Sequence, residues 1–391
     1  MKNFCPLPWI HMFINPAGNT RLCCAATSAR ETYKSVTNNK SFNEARLKML
    51  KDQRPDQCYT ACYKVEDNGG MSKRQEQIQH RQMIFNAGKS FTYEDAVNNT
   101  NADGTIKKEL IYDLDLRIGN TCDLACVMCG SVNSSKWAEL ERNINIKTGM
   151  EQAPGAPNKW WDDKAFWEDL KEVLLHAKLV KFGGGEPLLL KQHKDVLKFL
   201  RENNPECNIK YITNANNITQ EYIDLWQDLP NLRFTLSIDG IKDRLEYLRW
   251  PIKWDTLINN IRMLKQLKTK PQISINYTIS LFNILYMNED LNWFLPRLDD
   301  LGVDNFNPNF VYFPIFLHAG LLPDKIKETI NIECSDLQIS GLSIADNVQS
   351  YLNSKKYDKE LLEQFAVYAK ELDAARGTNV LKTFPKLINI L

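Results

Sequence analysis

Three closely spaced cysteines, Cys122, Cys126 and Cys129, are the residues of this sequence best equipped for chemistry. Thiolates are the ligands that iron-sulfur clusters take. Spacings of x3 and x2 let one short loop wrap three corners of a cubic cluster and leave a fourth iron open. No fourth cysteine closes the set locally, unlike the x2 intervals of a two-cluster ferredoxin. A zinc knuckle or three buried core thiols are the other readings of such a trio. A second group lies upstream: Cys5, Cys23 and Cys24, then Cys58 and Cys62. Two thiols from a hairpin and two from one turn would close a four-thiolate site, for iron-sulfur or for zinc, with Cys24 as a spare or a substitute for Cys23. Cys207 and Cys334 fall outside both groups and read as inert thiols. His11, His80, His176, His193 and His318 show no metal-ligand spacing, and no Ser/His/Asp set can be assembled.

The elements that must position these residues are legible around them. Trp9–Ile14 and Thr20–Cys24 read as strands on either side of the turn formers Asn15–Asn19. A helix follows at Ser41–Leu50, with Ser41 as N-cap and Glu44 completing a capping box. A polar helix is expected over Met71–Asn86, and Asn98–Gly104 is a loop that ends the first module. From residue 109 strands alternate with helices. The strands are expected at 110–118, 178–182, 209–213, 232–237, 273–279 and 305–312, with helices such as Lys164–His176 and Asp195–Glu202 between them. That rhythm implies a parallel sheet with outer helices. The segment from Ser134 to Trp161, with Met150–Pro157, is long enough to cover a site. Beyond Gly320 the chain reads as mostly helical, with an amphipathic stretch over Lys359–Ala375.

The chain has 391 residues, 43% apolar and 25% charged, which suits a catalytic domain with a smaller module. A net charge of +1 gives no pull toward nucleic acid or an anionic membrane, so neither is expected as a partner. No run approaches the length of a membrane span and no secretion signal opens the sequence, so the expected location is the cytoplasm. Ten cysteines in that setting argue for metal ligation over a disulfide framework.

Further motifs sit where strands end. Gly183-Gly184-Gly185-Glu186-Pro187 follows the second strand, and its glycines let backbone approach a ligand closely. Thr213-Asn214-Ala215-Asn216 ends the third strand, and Ser237-Ile238-Asp239-Gly240 the fourth, with Arg249 beyond it. Together with Cys-x3-Cys-x2-Cys this pattern resembles the radical S-adenosylmethionine (SAM) superfamily. The resemblance implies an open (β/α)6 partial barrel over residues 105–318, an α/β fold. It implies a [4Fe-4S] cluster on Cys122, Cys126 and Cys129 whose open iron chelates SAM and cleaves it to a 5'-deoxyadenosyl radical. Gly184, Gly185 and Glu186 match the family's Gly-Gly-Glu motif, whose acceptor suits the SAM amino group. Asn214 would meet the ribose, and Met128 stands where an aromatic residue often faces adenine. Ser237 and Arg249, with Asp239 beside the serine, are similar to a pair that grips the SAM carboxylate in sulfatase-maturing and peptide-modifying members.

Residues 1–104 resemble the twitch and SPASM auxiliary-cluster modules, here placed first and with a Cys-x3-Cys pair. Cys5, Cys23, Cys58 and Cys62 would then hold one auxiliary [4Fe-4S] cluster, with Glu66, Gly69, Gly70 and Ser72-Lys73-Arg74 alongside. Residues 319–391 form a helical C-terminal extension. The resemblance implies an oxidoreductase-type enzyme that takes a hydrogen atom from a peptide or protein, for oxidation, crosslinking or epimerisation. A dehydrogenase or epimerase of a small molecule or sugar is the alternative, and a non-catalytic metal-binding scaffold is the reading from another class. An external electron donor such as flavodoxin or ferredoxin is implied.

Overall fold

The computed structural model describes residues 2–26, 38–67, 72, 74–75, 78, 91–143, 159–333, 338–339 and 342–391. Gly69, Gly70, Lys73, His80 and Cys334, most of the polar helix expected over Met71–Asn86, and Met150–Pro157 lie outside the described residues. The fold is α/β. Its eight main strands are β1 (His11–Ile14), β2 (Thr20–Arg21), β3 (Asp113–Leu116), β4 (Leu179–Phe182), β5 (Asn208–Thr213), β6 (Leu232–Ser237), β7 (Gln272–Ile279) and β8 (Asn305–Phe310), paired mostly in parallel. The chain divides into two compact units. The first comprises Met1–Gly119, Pro157–Gly184 and Lys191–Lys210; the second comprises Asn120–Ala156, Gly185–Leu190 and Tyr211–Leu391. Among the described residues, no helix is long and apolar enough to cross a membrane.

In the first unit β1 and β2 are the expected hairpin, with Phe13 opposite Arg21 and Ile14 opposite Thr20. The turn is held by Asn15, whose Oδ1 accepts the N–H groups of Ala17 (3.0 Å) and Asn19 (2.9 Å). β1 also runs parallel to β3, His11 facing Asp113, and β3 runs parallel to β4, Asp113 facing Leu179. The cysteine-bearing hairpin is therefore the edge of a sheet. Helix α1 (Lys40–Leu50) starts one residue before the expected cap, and its N-cap is Asn39, whose Oδ1 accepts Phe42 N–H at 2.9 Å. Ser41 stands inside the first turn, where its hydroxyl accepts from Gln57 Nε2 at 3.1 Å, so the expected Ser41–Glu44 capping box is replaced. Arg46 of α1 is fully buried and donates to Pro8 O through Nε (2.9 Å) and Nη2 (2.6 Å), fixing the stretch that follows Cys5. Helices α2 (Lys164–His176) and α3 (Lys191–Asn203) complete this unit.

In the second unit β6, β7 and β8 are in parallel register, Thr235 with Ser274 and Ser274 with Asn305. Alternation sorts their faces. Leu232, Phe234 and Leu236, with Ile273, Ile275 and Tyr277, are buried. The other face carries Thr235, Ser237, Ser274, Asn276, Thr278, Asn307 and Asn309, half-buried or exposed. Helices α4 (Lys242–Leu248), α5 (Trp254–Lys265), α6 (Ile344–Asn353) and α7 (Lys359–Arg376) follow.

Candidate active site

The loop from Cys122 to Cys129 belongs to the second unit and is held mainly by its backbone. Ala125 N–H donates to Trp250 O and Val127 N–H to Leu248 O, both at 2.8 Å, while Cys129 N–H turns back to Cys126 O at 2.9 Å. Ser135 Oγ both accepts Cys122 N–H (3.2 Å) and donates to Cys122 O (3.1 Å). Trp137 Nε1 donates to Cys126 O at 2.7 Å, and Ser134 Oγ to Leu124 O at 2.6 Å. Such anchoring fixes the Cα positions and leaves the thiols free for a ligand. Burial pushes all three thiols up, Cys129 to about 12, with their neighbour thiols adding to the shift at Cys122 and Cys129. Metal binding reverses that preference, since a ligated thiolate has lost its proton. Met128 lies between two of the cysteines and is half-buried.

The glycine-glutamate turn reaches this loop through Gly185 and Glu186. A Cβ on Gly185 would meet Thr121 O at 2.2 Å, so only glycine permits the approach. Glu186 N–H donates to that same Thr121 O at 2.7 Å. Gly184 lies in the first unit with φ +108, a conformation that favours glycine. The Glu186 carboxylate is 1% exposed and has three donors: Leu188 N–H (3.2 Å) and Thr213 Oγ1 (2.7 Å) on Oε1, and Asn214 N–H (2.8 Å) on Oε2. Burial outweighs these bonds and pushes its pKa up to about 7. Glu186 thus braces the end of β5.

Asn214 is also committed to protein. Its Nδ2 donates to Asp123 Oδ1 at 3.0 Å and its Oδ1 accepts Asn216 N–H at 2.9 Å. Asp123 Oδ2 receives Asn216 Nδ2 (2.6 Å) and Asn217 Nδ2 (2.8 Å). Three carboxamides therefore converge on one carboxylate inside the cysteine loop. Sequence reasoning overlooked Asp123, although four asparagines between residues 214 and 217 broken only by Ala215 offered a hint of a shared acceptor.

Arg249 caps the C-terminus of α4 and is 8% exposed. Its Nη1 lies 3.6 Å from Cys126 Sγ, and its Nε lies 2.7 Å from Asp239 Oδ2. The second contact is close in charge but lacks hydrogen-bond alignment, for both atoms count as buried without a hydrogen-bond partner. Burial works against the guanidinium charge, but Asp239 and then Cys126 hold its pKa above the ordinary value. Asp239 is fully buried, and its Oδ1 accepts Thr278 N–H at 2.8 Å. The Ser237 hydroxyl has no printed burden of this kind: it is half-buried on the polar face of β6.

Helix α7 packs on the back of the same loop. Tyr368 Oη donates to Val127 O at 2.8 Å, and Arg376 Nη2 donates to Ala125 O. The Arg376 guanidinium also lies over the rings of Trp137 (5.5 Å) and Trp250 (5.7 Å). Nothing near α7 in the sequence signals this role.

The first unit gathers the second cysteine set. Cys5, Cys23, Cys58 and Cys62 line one small cavity with Leu7, Met49 and Arg74; Cys24 is not in its lining. Cys58 and Cys62 flank a widened turn of helix over Tyr59–Tyr63. Burial pushes the four-thiol members Cys23 (to about 11), Cys58 and Cys62 up, and at Cys58 the thiols of Cys5, Cys23 and Cys62 add to the effect. Arg74 is held by Glu66 through Nε (3.0 Å) and Nη2 (2.6 Å) and donates to Phe4 O at 2.9 Å. Ser72 Oγ donates to Glu66 Oε1. Among the described residues, no three His, Cys, Asp or Glu side chains gather closely enough for a single metal ion. A cubic cluster asks less, because each thiolate binds its own iron.

Residues 116–292 match the family model of the Radical SAM superfamily. That stretch, with its cysteine loop and Gly-Gly-Glu turn, is radical SAM in kind; it is rather less than half of the chain. No curated protein matches. Among solved structures, SuiB of Streptococcus suis bound to precursor peptide SuiA is 16% identical, with 71% of this chain and 51% of that chain covered and a TM-score of 0.36. The enzyme anSMEcpe with bound AdoMet is 17% identical, with 50% of each chain covered and a TM-score of 0.36. TYW1 with a lysine-pyruvate adduct is 14% identical, covering 65% of this chain and 70% of that chain, with a TM-score of 0.31. The chain spans about half the length of the first two.

Proposed function

We propose that this protein is a radical SAM enzyme that removes a hydrogen atom from a peptide or protein substrate. The observation that carries the reading is the Cys122–Cys129 loop, backbone-anchored, with Gly185 pressed against Thr121 and Arg249 against Cys126 in one unit. Three buried thiols with no fourth fit a [4Fe-4S] cluster with one open iron. Bound there, cluster and SAM together supply a reductively generated 5'-deoxyadenosyl radical, fed by an external one-electron donor such as flavodoxin or ferredoxin. The chain's own part is positional. Asp239 orients Arg249, Glu186 fixes the end of β5, and Asp123 ties that end to the cysteine loop. Gly184 and Gly185 leave room for a ligand, while Ser237, Met128 and the free edge of Arg249 are the contacts proposed for SAM. Asn214 and Asp239 act at one remove, because protein groups already occupy them.

Cys5, Cys23, Cys58 and Cys62 are proposed to hold an auxiliary [4Fe-4S] cluster. Their shared cavity supports this, and so does the Glu66–Arg74 pair beside it. With four thiolates it has no open iron for SAM, so it positions substrate or relays an electron. The polar face of β7 and β8 supports an uncharged, hydrogen-bonding substrate such as a peptide: Asn309 Nδ2 donates to Asn276 Oδ1, and Asn307 lies beside Asn276 in register.

The test is anaerobic reconstitution with iron and sulfide, followed by reduction in the presence of SAM. About eight irons and release of 5'-deoxyadenosine are expected, as two [4Fe-4S] clusters hold about eight irons. Alanine at Cys122, Cys126 and Cys129 should remove about half the iron and all SAM cleavage. Cleavage by that variant would sink the assignment.

A further inference from the structure

Arg376 is a buried cation without an anion. It is 8% exposed, and its Nε has no hydrogen-bond partner. Among the described residues it forms no ion pair. Asp373, one turn earlier, spends Oδ1 on Thr378 Oγ1 and Oδ2 on Val380 N–H, both at 2.7 Å. What Arg376 does hold is neutral: the carbonyls of Ala125 and Tyr247 and the faces of Trp137 and Trp250. A desolvated charge of this kind is costly unless something of opposite sign is added beside it.

The other charges nearby do not supply it. Arg249 and Asp239 cancel one another at 2.7 Å. Glu141 lies on the Cys129 side of the loop, where its Oε1 accepts Ser131 N–H at 3.4 Å. The missing anion is in the thiols themselves. Cys126 is next in sequence to the carbonyl that Arg376 holds, and its thiolate would interact favourably with both arginines.

We infer that Arg376, projected from α7 onto the carbonyl of Ala125, is the charge partner of the cluster carried by Cys122, Cys126 and Cys129 and sets its reduction potential. This rests on the radical SAM reading above. Three thiolates on an oxidised [4Fe-4S] core leave one net negative charge, and uptake of one electron from the donor makes it two, with no proton required. A fixed cation favours the more negative form, so Arg376 makes the cluster easier to reduce. Arg376 is a positioning residue: it touches the loop and the field, not SAM.

The experiment is a redox titration of the reconstituted protein, read by the electron paramagnetic resonance signal that changes when SAM is added. That change singles out the cluster with an open iron. At the potential where half of the wild-type cluster is reduced, Arg376→Met should lower the reduced-to-oxidised ratio about tenfold, ~59 mV for one electron. Arg376→Lys keeps the charge and should stay within about twofold of wild type. Tyr368→Phe removes a hydrogen bond to the same loop without removing charge, and should also stay within about twofold. If Arg376→Met holds too little cluster, Arg376→Gln, which keeps a donor for Ala125 O, is read in the same way. An unchanged ratio in the uncharged variants overturns the inference, as does an equal fall in Arg376→Lys. A wild-type protein with no SAM-responsive cluster overturns instead the reading beneath it.

Discussion

Asp123→Asn tests the carboxamide clamp at one atom. In the wild type Oδ2 takes two amide donors, Asn216 at 2.6 Å and Asn217 at 2.8 Å, and Oδ1 takes one, Asn214 at 3.0 Å. Asparagine keeps one acceptor, which serves Asn216 and Asn217 best. Its new N–H2 then faces the N–H2 of Asn214. Asn214 cannot turn to meet it without giving up the 2.9 Å bond from Asn216 N–H to its Oδ1. One charge-assisted bond is lost and two are weakened to neutral ones. Hydrogen bonds to charged groups contribute about 1.5–3 kcal/mol each, against about 1 for neutral ones. Asp123 is only half-buried, so water recovers part of this. The expected loss is about 2 kcal/mol of unfolding free energy, measured by urea denaturation of the iron-free protein. Reconstitution should also retain less iron at the first cluster, because the loop end is no longer tied to β5. A loss below about 0.5 kcal/mol, which is the scale of an ordinary surface change, would refute the clamp as a structural device.

Three other outcomes follow from the same geometry. Gly185→Ala places a Cβ 2.2 Å from Thr121 O, so the variant should lose about 2 kcal/mol or more and release iron during gel filtration. Arg249→Met strands the buried Asp239 carboxylate and should destabilise the iron-free protein by about 3–5 kcal/mol, and adding Asp239→Asn should restore much of that in the same denaturation assay. Glu186 has a folded pKa of about 7, raised from 4.5, so the native state binds more protons than the unfolded state between those values. Stability therefore falls as pH rises through that window, by on the order of 3 kcal/mol; Glu186→Gln should flatten the slope in denaturation curves taken from pH 4 to 8.

Local pattern made much of this fold legible. β6 runs from Leu232 to Ser237 and α2 from Lys164 to His176, as alternation and helical spacing predict. β3 is shorter than the expected 110–118 because only Asp113–Leu116 pair with β1 and β4. The α1 cap was misread because Asn39 and Ser41 are both good caps, and only the Phe42 N–H direction decides between them. The cysteines and the Gly-Gly-Glu turn announce themselves because their chemistry is compressed into a few residues. Asp123, Tyr368 and Arg376 do not, since each works through partners 91 to 251 residues away. Asn214 and Asp239 were legible as site residues, but their commitment to Asp123 and Arg249 is a matter of direction, which spacing does not encode.

The bonds from α7 to the cysteine loop also impose an order on biogenesis. Val127 and Tyr368 are 241 residues apart, and Ala125 and Arg376 are 251 apart. At a synthesis rate of about 5–20 residues per second, the loop leaves the ribosome on the order of ten to fifty seconds before the side chains that hold its carbonyls. During that interval three thiols are exposed to oxygen and to stray metal without their brace. Iron delivery to a nascent chain would therefore meet a loop of undefined shape, and a ribosome stalled anywhere before residue 376 would leave it that way. Cluster insertion into this protein is by construction a late event, timed by translation of a helix that contributes no ligand.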